Sequence, residues 1–184
     1  MIGKTTTQIK HIIRESNSAS DIVSKFLTRL NDGLLTREEN PKTHFGVFFA
    51  GFDRTSNKLL MGHHKKSNLW LFNGGHIEKG EIPSETLIRE IEEEWGEIGN
   101  FIIPKKPGLL TISEIKNSAK RSCIRHYDIW YFVPMDKESN KFNPNILLGE
   151  FYEVRWLTLQ EAKNLATDPT TLKAIDHIEK HLFK

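Results

Sequence analysis

The sequence predicts an α/β (α+β) protein in which strands flank one helix and further helices lie toward both ends of the chain. Alternating apolar residues across 45–49 are typical of a β-strand. Apolar residues at helical spacing between 84 and 95 predict the central helix. The same spacing across 19–32 predicts a helix before the first strand. These patterns determine the fold class but leave the order of the strands open.

Local signals mark where the predicted elements begin and end. Asn40-Pro41 separates two N-terminal helices from the first strand, and Pro83 suits the first turn of a helix because its φ is already helical. Asp168 is placed to cap the last helix, with Pro169 in its first turn. The predicted helices cover 5–15, 19–32, 84–95 and a segment starting at 169, and the predicted strands cover 44–52, 58–64, 70–73, 109–115, 126–133 and 152–158.

Length and composition predict one globular domain with a terminal extension. The chain has 184 residues, of which 38% are hydrophobic and 27% charged. We divide it into an N-terminal helical extension, residues 1–40, and a main domain, residues 41–184. The single Cys123 excludes an internal disulfide framework and a Cys-rich zinc site. The N-terminus lacks the apolar core of a signal peptide, so we expect a cytoplasmic protein.

Charge and hydropathy also exclude classes of partner. A net charge of +2 gives no basic stripe for long nucleic acid, which favours a small substrate over a polymer. No run of about 18 apolar residues is present, so we expect no membrane partner. Homodimer formation is left open by the sequence.

An acidic segment within the central helix is the main chemical signal. Eight of the twenty residues from Glu78 to Glu97 are glutamates. Glu90, Glu93 and Glu94 share one side of a helix, where like charges are destabilising unless a cation lies between them. Oxygen-only ligands suit Mg²⁺ or Mn²⁺ rather than zinc. A solvated acidic helix face is the alternative that composition alone leaves open.

The order of residues from Gly75 resembles the Nudix box, G-x5-E-x7-R-E-(apolar)-x-E-E-x-G-(apolar). Two positions depart from it, since Glu97 replaces the final apolar residue and Asn73 stands where many members have proline. The resemblance implies a Nudix-type α/β/α sandwich with a mixed sheet, following the N-terminal helical extension. The seven fixed positions of the box are occupied by Gly75, Glu81, Arg89, Glu90, Glu93, Glu94 and Gly96.

The resemblance further implies an enzyme that hydrolyses a diphosphate linkage in a nucleoside diphosphate derivative, with Mg²⁺ or Mn²⁺ as cofactor. The implied metal ligands are Glu90, Glu93, Glu94 and the carbonyl of Gly75. Arg89 is expected to orient the box glutamates. The general base is either a box glutamate, here Glu93, or a glutamate of a later segment, for which Glu150 and Glu153 are candidates.

Substrate contacts are predicted outside the box. His64 and Lys66 end a strand before the Gly-Gly loop and could meet phosphates, although a solvated strand end is equally compatible with the pattern. Trp70 and Tyr127 are candidates to stack on a base, although aromatic residues in strands more often belong to the core. Nucleotide sugars such as ADP-ribose and nucleoside triphosphates are both compatible substrates.

Two other functions compete with hydrolysis. A Nudix-like domain can bind a nucleotide without cleaving it, but such sensors commonly lose box glutamates, which are all present here. An isopentenyl-diphosphate-isomerase-like enzyme shares the fold, but its chemistry uses a cysteine before the box, and Cys123 comes after it. We therefore rank hydrolase first, sensor second and isomerase third.

Overall fold

A computed structural model describes residues 3–115, 123–140 and 142–183. A 3₁₀ turn at Ile98–Asn100 lies between the third helix and the fifth strand. The helices of the described residues are α1 (Lys4–Glu15), α2 (Ser20–Asn31), α3 (Pro83–Glu94), α4 (Pro144–Glu150), α5 (Leu159–Leu165) and α6 (Pro169–His181), and the strands are β1 (Thr43–Asp53), β2 (Lys58–His64), β3 (Leu69–Leu71), β4 (Asn73–His76), β5 (Leu109–Glu114), β6 (Arg125–Pro134) and β7 (Phe151–Thr158).

The strands form a seven-stranded sheet with the path β3-β2-β1-β6-β5, to which β4 adds by pairing with β1 and β7 by pairing with β2. Strand β2 is antiparallel to three partners. Along one edge of β2, residues 58–60 pair with β1 and residues 62–64 pair with β3. The other edge of β2 pairs with β7. The predicted α/β (α+β) class with a mixed sheet is confirmed.

Within the described residues, one strand and two α-helices were not predicted, and their causes differ. Strand β4 contains Gly74 and Gly75, which have low strand propensity, and it forms through its pairing with β1. Helix α4 is short and is capped by Asn143, whose side chain accepts a bond from the backbone of Asn145. Helix α5 begins at a capping box formed by Thr158 and Glu161, a signal that the sequence already carried.

The chain forms two compact units, each with its own core. In the first unit, Phe26 and Phe45 meet edge to face with ring centroids 5.8 Å apart. In the second unit, Phe49 meets the buried Trp95 at 4.7 Å. The predicted boundary between residues 40 and 41 stays a prediction. The first unit comprises Met1–Phe48, Gly75–Leu87 and Lys105–Tyr131, and the second comprises Phe49–Gly74, Ile88–Pro104 and Phe132–Lys184.

Helix α1 contacts the segment in which α3 begins, within the first unit. Lys4 Nζ lies 3.0 Å from Glu85 Oε2, and the Thr5 hydroxyl donates to the carbonyl of Glu81 at 2.6 Å. The Gln8 amide donates to Ser84 Oγ at 3.1 Å. These polar contacts attach the N-terminal helix to the residues that carry the first part of the box.

Across the described ranges, we find no helix that combines the length and the apolar composition needed to cross a membrane.

We expect the protein to lose stability as the pH falls from about 6.5 to about 4, partly through His177. Its ring stacks on Phe132, with centroids 4.5 Å apart and planes at 12°. Burial, with a smaller contribution from His181, lowers the pKa of His177 from 6.5 to about 4. The unfolded chain therefore binds a proton at His177 more readily than the folded chain does. The contribution of His177 to stability is complete above the pKa of the unfolded state and is lost as the pH falls to the pKa of the folded state.

The substitution His177→Phe isolates this effect because phenylalanine can keep the stack and takes up no proton. We expect its thermal midpoint to fall less than that of the wild type when the pH is lowered through this range. His11→Phe, at an exposed position on α1, is the control and should keep the wild-type dependence. Parallel curves for His177→Phe and wild type would contradict the assignment.

Candidate functional site

The second half of α3 brings two predicted metal ligands and a predicted orienting residue into contact. Glu90 is buried, with 7% of its surface exposed, whereas Glu93 lies at the more exposed side of the helix. Arg89 Nη1 donates to Glu90 Oε1 at 2.7 Å and to Glu93 Oε2 at 3.0 Å. One guanidinium thus offsets the repulsion between two carboxylates and restricts their rotamers.

Glu94 is held by two donors that precede it by 21 and 20 residues in sequence. The Asn73 side-chain amide donates to Glu94 Oε2, and the Gly74 N–H donates to Oε1 at 3.3 Å. Burial, with smaller contributions from the charges of Glu90 and Glu150, raises the pKa of Glu94 to about 8, although the hydrogen bond from Asn73 acts to lower it. The carboxylates are therefore close enough to disfavour each other's ionised form.

Asn73 explains one of the two departures from the Nudix box pattern. Its Oδ1 accepts a hydrogen bond of 3.0 Å from the buried indole N–H of Trp95, while its amide nitrogen donates to Glu94. A proline could do neither. The sequence offered one signal for this role, since the amide of Asn73 lies two residues before a predicted metal ligand, Gly75.

We expect Asn73→Ala to reduce the free energy of unfolding by about 1–3 kcal/mol, because the Trp95 N–H is left buried without this acceptor. Asn73→Asp separates the two roles, since it keeps an acceptor for Trp95 and places a like charge against Glu94. Denaturant unfolding measures both effects. Asn164→Ala, at an exposed position on α5, is the control. Unchanged stability in Asn73→Ala would contradict the bridging role.

Glu150 ends α4 and meets two predicted phosphate-binding residues at the end of β2 and the following turn. Lys66 Nζ lies 2.5 Å from Glu150 Oε1, and His64 Nε2 lies 3.6 Å from Oε2. The hydrogen bond from Lys66, aided by the charges of Lys66 and His64, lowers the pKa of Glu150. Two candidates near the end of β2 thus converge on the carboxylate of a third, which lies 84 residues from Lys66 in sequence.

The turn after β2 also fixes the end of α4. Lys65 donates its backbone N–H to the carbonyl of Glu150 at 2.9 Å and its Nζ to the carbonyl of Leu148 at 2.7 Å. Lysine near a helix C-terminus satisfies carbonyls that have no partner within the helix. Glu150 is therefore held through its backbone carbonyl by Lys65 and through its carboxylate by Lys66.

Glu153 lies in β7 and has different surroundings. Its carboxylate pairs with Arg155 at 2.6 Å, and its register partner in β2 is His63. Trp70 stacks on His63 at 5.6 Å, and the guanidinium carbon of Arg155 lies 5.2 Å from the centroid of the Trp70 indole. The exposed Tyr152 ring adds a contact to His63 at 5.3 Å. This group of side chains therefore contains a candidate general base, Glu153, and a candidate stacking residue, Trp70.

The remaining two candidates lie in the first unit. Tyr127 has 7% of its surface exposed and packs against Phe26 and Phe45 at 5.3 and 5.5 Å, which is the environment of a core residue. Gly75 lies in β4, and a Cβ at Gly46 would meet its carbonyl oxygen at 3.1 Å. A side chain at position 46 would therefore crowd the carbonyl predicted to bind metal.

A second cluster of ligand-type side chains was not predicted. His44, His76, Cys123 and His126 each offer one ligand atom, and these four atoms lie within 4.8 Å of one another. The residues come from three distant parts of the sequence, so only the spacing Cys-x-x-His at 123–126 gave a local signal.

Comparison with known proteins identifies the family. The family model for the NUDIX domain matches residues 41–178. The mouse (Mus musculus) protein named nucleoside diphosphate-linked moiety X motif 6 is 30% identical over 129 residues. This match covers 68% of the chain and 38% of the mouse protein, so the chain spans well under half the length of this relative.

Solved structures share the fold at low sequence identity. An E. coli dihydroneopterin triphosphate pyrophosphohydrolase has a TM-score of 0.58 and 17% identity, covering 72% of this chain and 92% of that one. A C. elegans Ap4A hydrolase has a TM-score of 0.59 and 14% identity, with coverages of 75% and 97%. A Nudix-family hydrolase from Clostridium perfringens has a TM-score of 0.54 and 23% identity, with coverages of 74% and 97%. The NUDIX domain model matches most of the chain, and three of the four box glutamates lie on α3, so the chain belongs to the Nudix family.

Proposed function

We propose that this protein hydrolyses a diphosphate linkage in a small nucleoside diphosphate derivative, with Mg²⁺ or Mn²⁺ as the required cation. The observation that carries the proposal is the grouping of Glu90, Glu93 and Glu94 on α3. Arg89 contacts the first two carboxylates, and the Asn73 amide holds the third. Burial and the charge of Glu90 raise the pKa of Glu94, in agreement with this grouping. Carboxylates in such an arrangement favour a cation among them. Their all-oxygen donor set fits a hard divalent ion.

We assign Glu90, Glu93 and Glu94 as the cation ligands, and Gly75 through its carbonyl on the strength of the resemblance. When bound, the cation would supply neutralisation of the diphosphate oxygens and a lower pKa for the attacking water. The chain's own contribution is to hold the carboxylates in place. Arg89 positions Glu90 and Glu93, and Asn73 positions Glu94.

For the general base, the contacts favour Glu150 over Glu153. Both carboxylates are ion-paired, Glu150 with Lys66 and Glu153 with Arg155. They differ in that the charge of Glu150 acts on the pKa of Glu94. Lys66 keeps Glu150 ionised, and an ionised carboxylate can accept a proton from water. The oxygen of that water then attacks phosphorus, and the bond between phosphorus and the leaving oxygen breaks.

Substrate contacts are assigned to the basic end of β2 and the turn that follows it. Lys66 and His64 place cationic or hydrogen-bond-donating groups beside Glu150, and such groups bind phosphate oxygens. Trp70 is retained as a stacking candidate for the base. A cytoplasmic location, homodimer formation and an N-terminal extension ending at residue 40 are retained as proposals of the same standing.

The proposal is tested by phosphate release from a panel of substrates in a phosphatase-coupled assay. The panel contains ADP-ribose, nucleoside triphosphates and the compounds that name two similar structures, Ap4A and dihydroneopterin triphosphate. We expect turnover of at least one compound with Mg²⁺ or Mn²⁺ and none with chelator. No turnover of any compound, together with thermal stabilisation by one of them, would overturn hydrolysis in favour of a nucleotide sensor.

A further inference from the structure

In the first unit, three histidine rings lie close together near the ends of three strands. His44 lies in β1, His76 in β4 and His126 in β6. The three ring centroids are 4.6 to 4.9 Å apart in every pair. Cys123, two residues before β6, is buried and supplies a sulfur to the same group. One ring nitrogen of each histidine and the cysteine Sγ all lie within 4.8 Å of one another.

The orientation of His44 indicates that the cluster is built for a ligand. Its Nδ1 lies 2.9 Å from the carbonyl oxygen of Asn40. A carbonyl only accepts, so Nδ1 carries the hydrogen and Nε2 presents a lone pair. The ring is fully buried, and Nε2 has no hydrogen-bond partner among the described residues. A buried acceptor of this kind costs about 1–3 kcal/mol when nothing binds it.

Metal-binding histidines have this same arrangement of the two ring nitrogens. One nitrogen donates to a backbone carbonyl, which fixes the tautomer, and the other nitrogen binds the metal. Burial also lowers the pKa of His44, which keeps the ring in the neutral form that binds metals. The Asn40 carbonyl thus acts as the orienting group for His44.

We propose that His44, His76, Cys123 and His126 form a zinc site, separate in its residues and its donor chemistry from the carboxylates of α3. Zinc prefers nitrogen and sulfur donors in tetrahedral geometry. Zn–N bonds of about 2.0–2.1 Å place two ligand nitrogens about 3.3 Å apart. The Nε2 atoms of His76 and His126 are 3.3 Å apart, so this pair already has the required separation.

The number of protein ligands indicates a structural site rather than a catalytic one. Four protein donors leave no position for water or substrate on a tetrahedral zinc ion. The ion would link β1, β4 and the start of β6, and would supply a partner for the buried Nε2 of His44. Binding requires the thiolate, so the Cys123 proton is released to solvent.

Cobalt substitution of the 184-residue chain tests the proposal independently of turnover. The chelator-treated protein is titrated with Co²⁺ and then with Zn²⁺. We expect intense visible bands from tetrahedral Co²⁺, a near-ultraviolet thiolate-to-metal charge-transfer band, and loss of both when Zn²⁺ is added. Cys123→Ser should abolish the charge-transfer band, and His126→Gln should weaken Co²⁺ binding by about tenfold or more.

Two controls separate this site from the carboxylates and from general misfolding. Glu94→Gln should keep the charge-transfer band, because no carboxylate of α3 belongs to the cluster. His11→Gln, exposed on α1, should bind Co²⁺ as the wild type does. Zn²⁺ should raise the thermal midpoint of the wild type and leave that of Cys123→Ser unchanged. A wild-type protein that shows no charge-transfer band would overturn the proposal, whether or not the variants fold.

Discussion

Glu94→Gln is expected to reduce kcat by about 10²-fold or more while the protein remains folded. The substitution keeps the size of the side chain and an oxygen that can accept from Gly74, so the local fold should persist. It removes one of the charges that the proposed cation requires. Steady-state kinetics at saturating Mg²⁺ on the substrate found in the panel measures the effect. Wild-type turnover would remove Glu94 from the site.

The matched control for this substitution lies on the same helix. Glu92 is exposed, and Glu92→Gln changes the net charge equally. We expect Glu92→Gln to retain kcat within about twofold, since a solvated surface carboxylate contributes little. Similar losses in both variants would indicate a general effect of helix charge rather than a ligand role for Glu94.

Glu94→Gln should also change the pH dependence of stability when chelator is present. In the folded protein the pKa of Glu94 is about 8, whereas its ordinary value is 4.5. The folded chain therefore binds more protons than the unfolded chain between these values, and stability falls as the pH rises through this window. The variant has no such group, so its unfolding free energy should decline less over this range. Identical declines would contradict the burial of a carboxylate at this position.

Glu150→Gln is expected to lower kcat by about 10²- to 10³-fold, and Glu153→Gln to have a small effect. The two glutamates are three residues apart and undergo the same chemical change, so each serves as the control for the other. The charge of Glu150 acts on the pKa of Glu94, and this electrostatic coupling to the α3 carboxylates is the reason for the expected difference. Parallel kcat and KM measurements on both variants make the comparison. Equal, small losses would instead assign the base to Glu93.

A pH profile adds a second measurement to the Glu150 assignment. Lys66 lowers the pKa of Glu150, so Lys66→Met should raise that pKa and move the acidic limb of the kcat profile to higher pH. A base elsewhere in the site would leave the acidic limb where it is in the wild type. Loss of substrate affinity alone would raise KM without moving this limb.

The sequence by itself determined the fold class, the position of the box and the helix that carries it. The periodicities of β1 and α3 are local properties of the chain, and the order of glycines and glutamates from Gly75 is specific enough to indicate the Nudix family. The match of the NUDIX model to residues 41–178 confirms this. Local patterns were sufficient here because side-chain period and motif spacing depend only on neighbours along the chain.

Only the tertiary structure decided which distant side chains meet. The pairing of Lys66 with Glu150, the bridge from Asn73 to Trp95 and the cluster around His44 each join segments that are separate in sequence. Strand pairing and core packing determine these contacts, and neither is encoded in the spacing of nearby residues. Glu150 and Glu153 illustrate the difference. They have the same chemistry and lie three residues apart, but only the fold distinguishes the carboxylate whose charge acts on Glu94 from the one paired with Arg155.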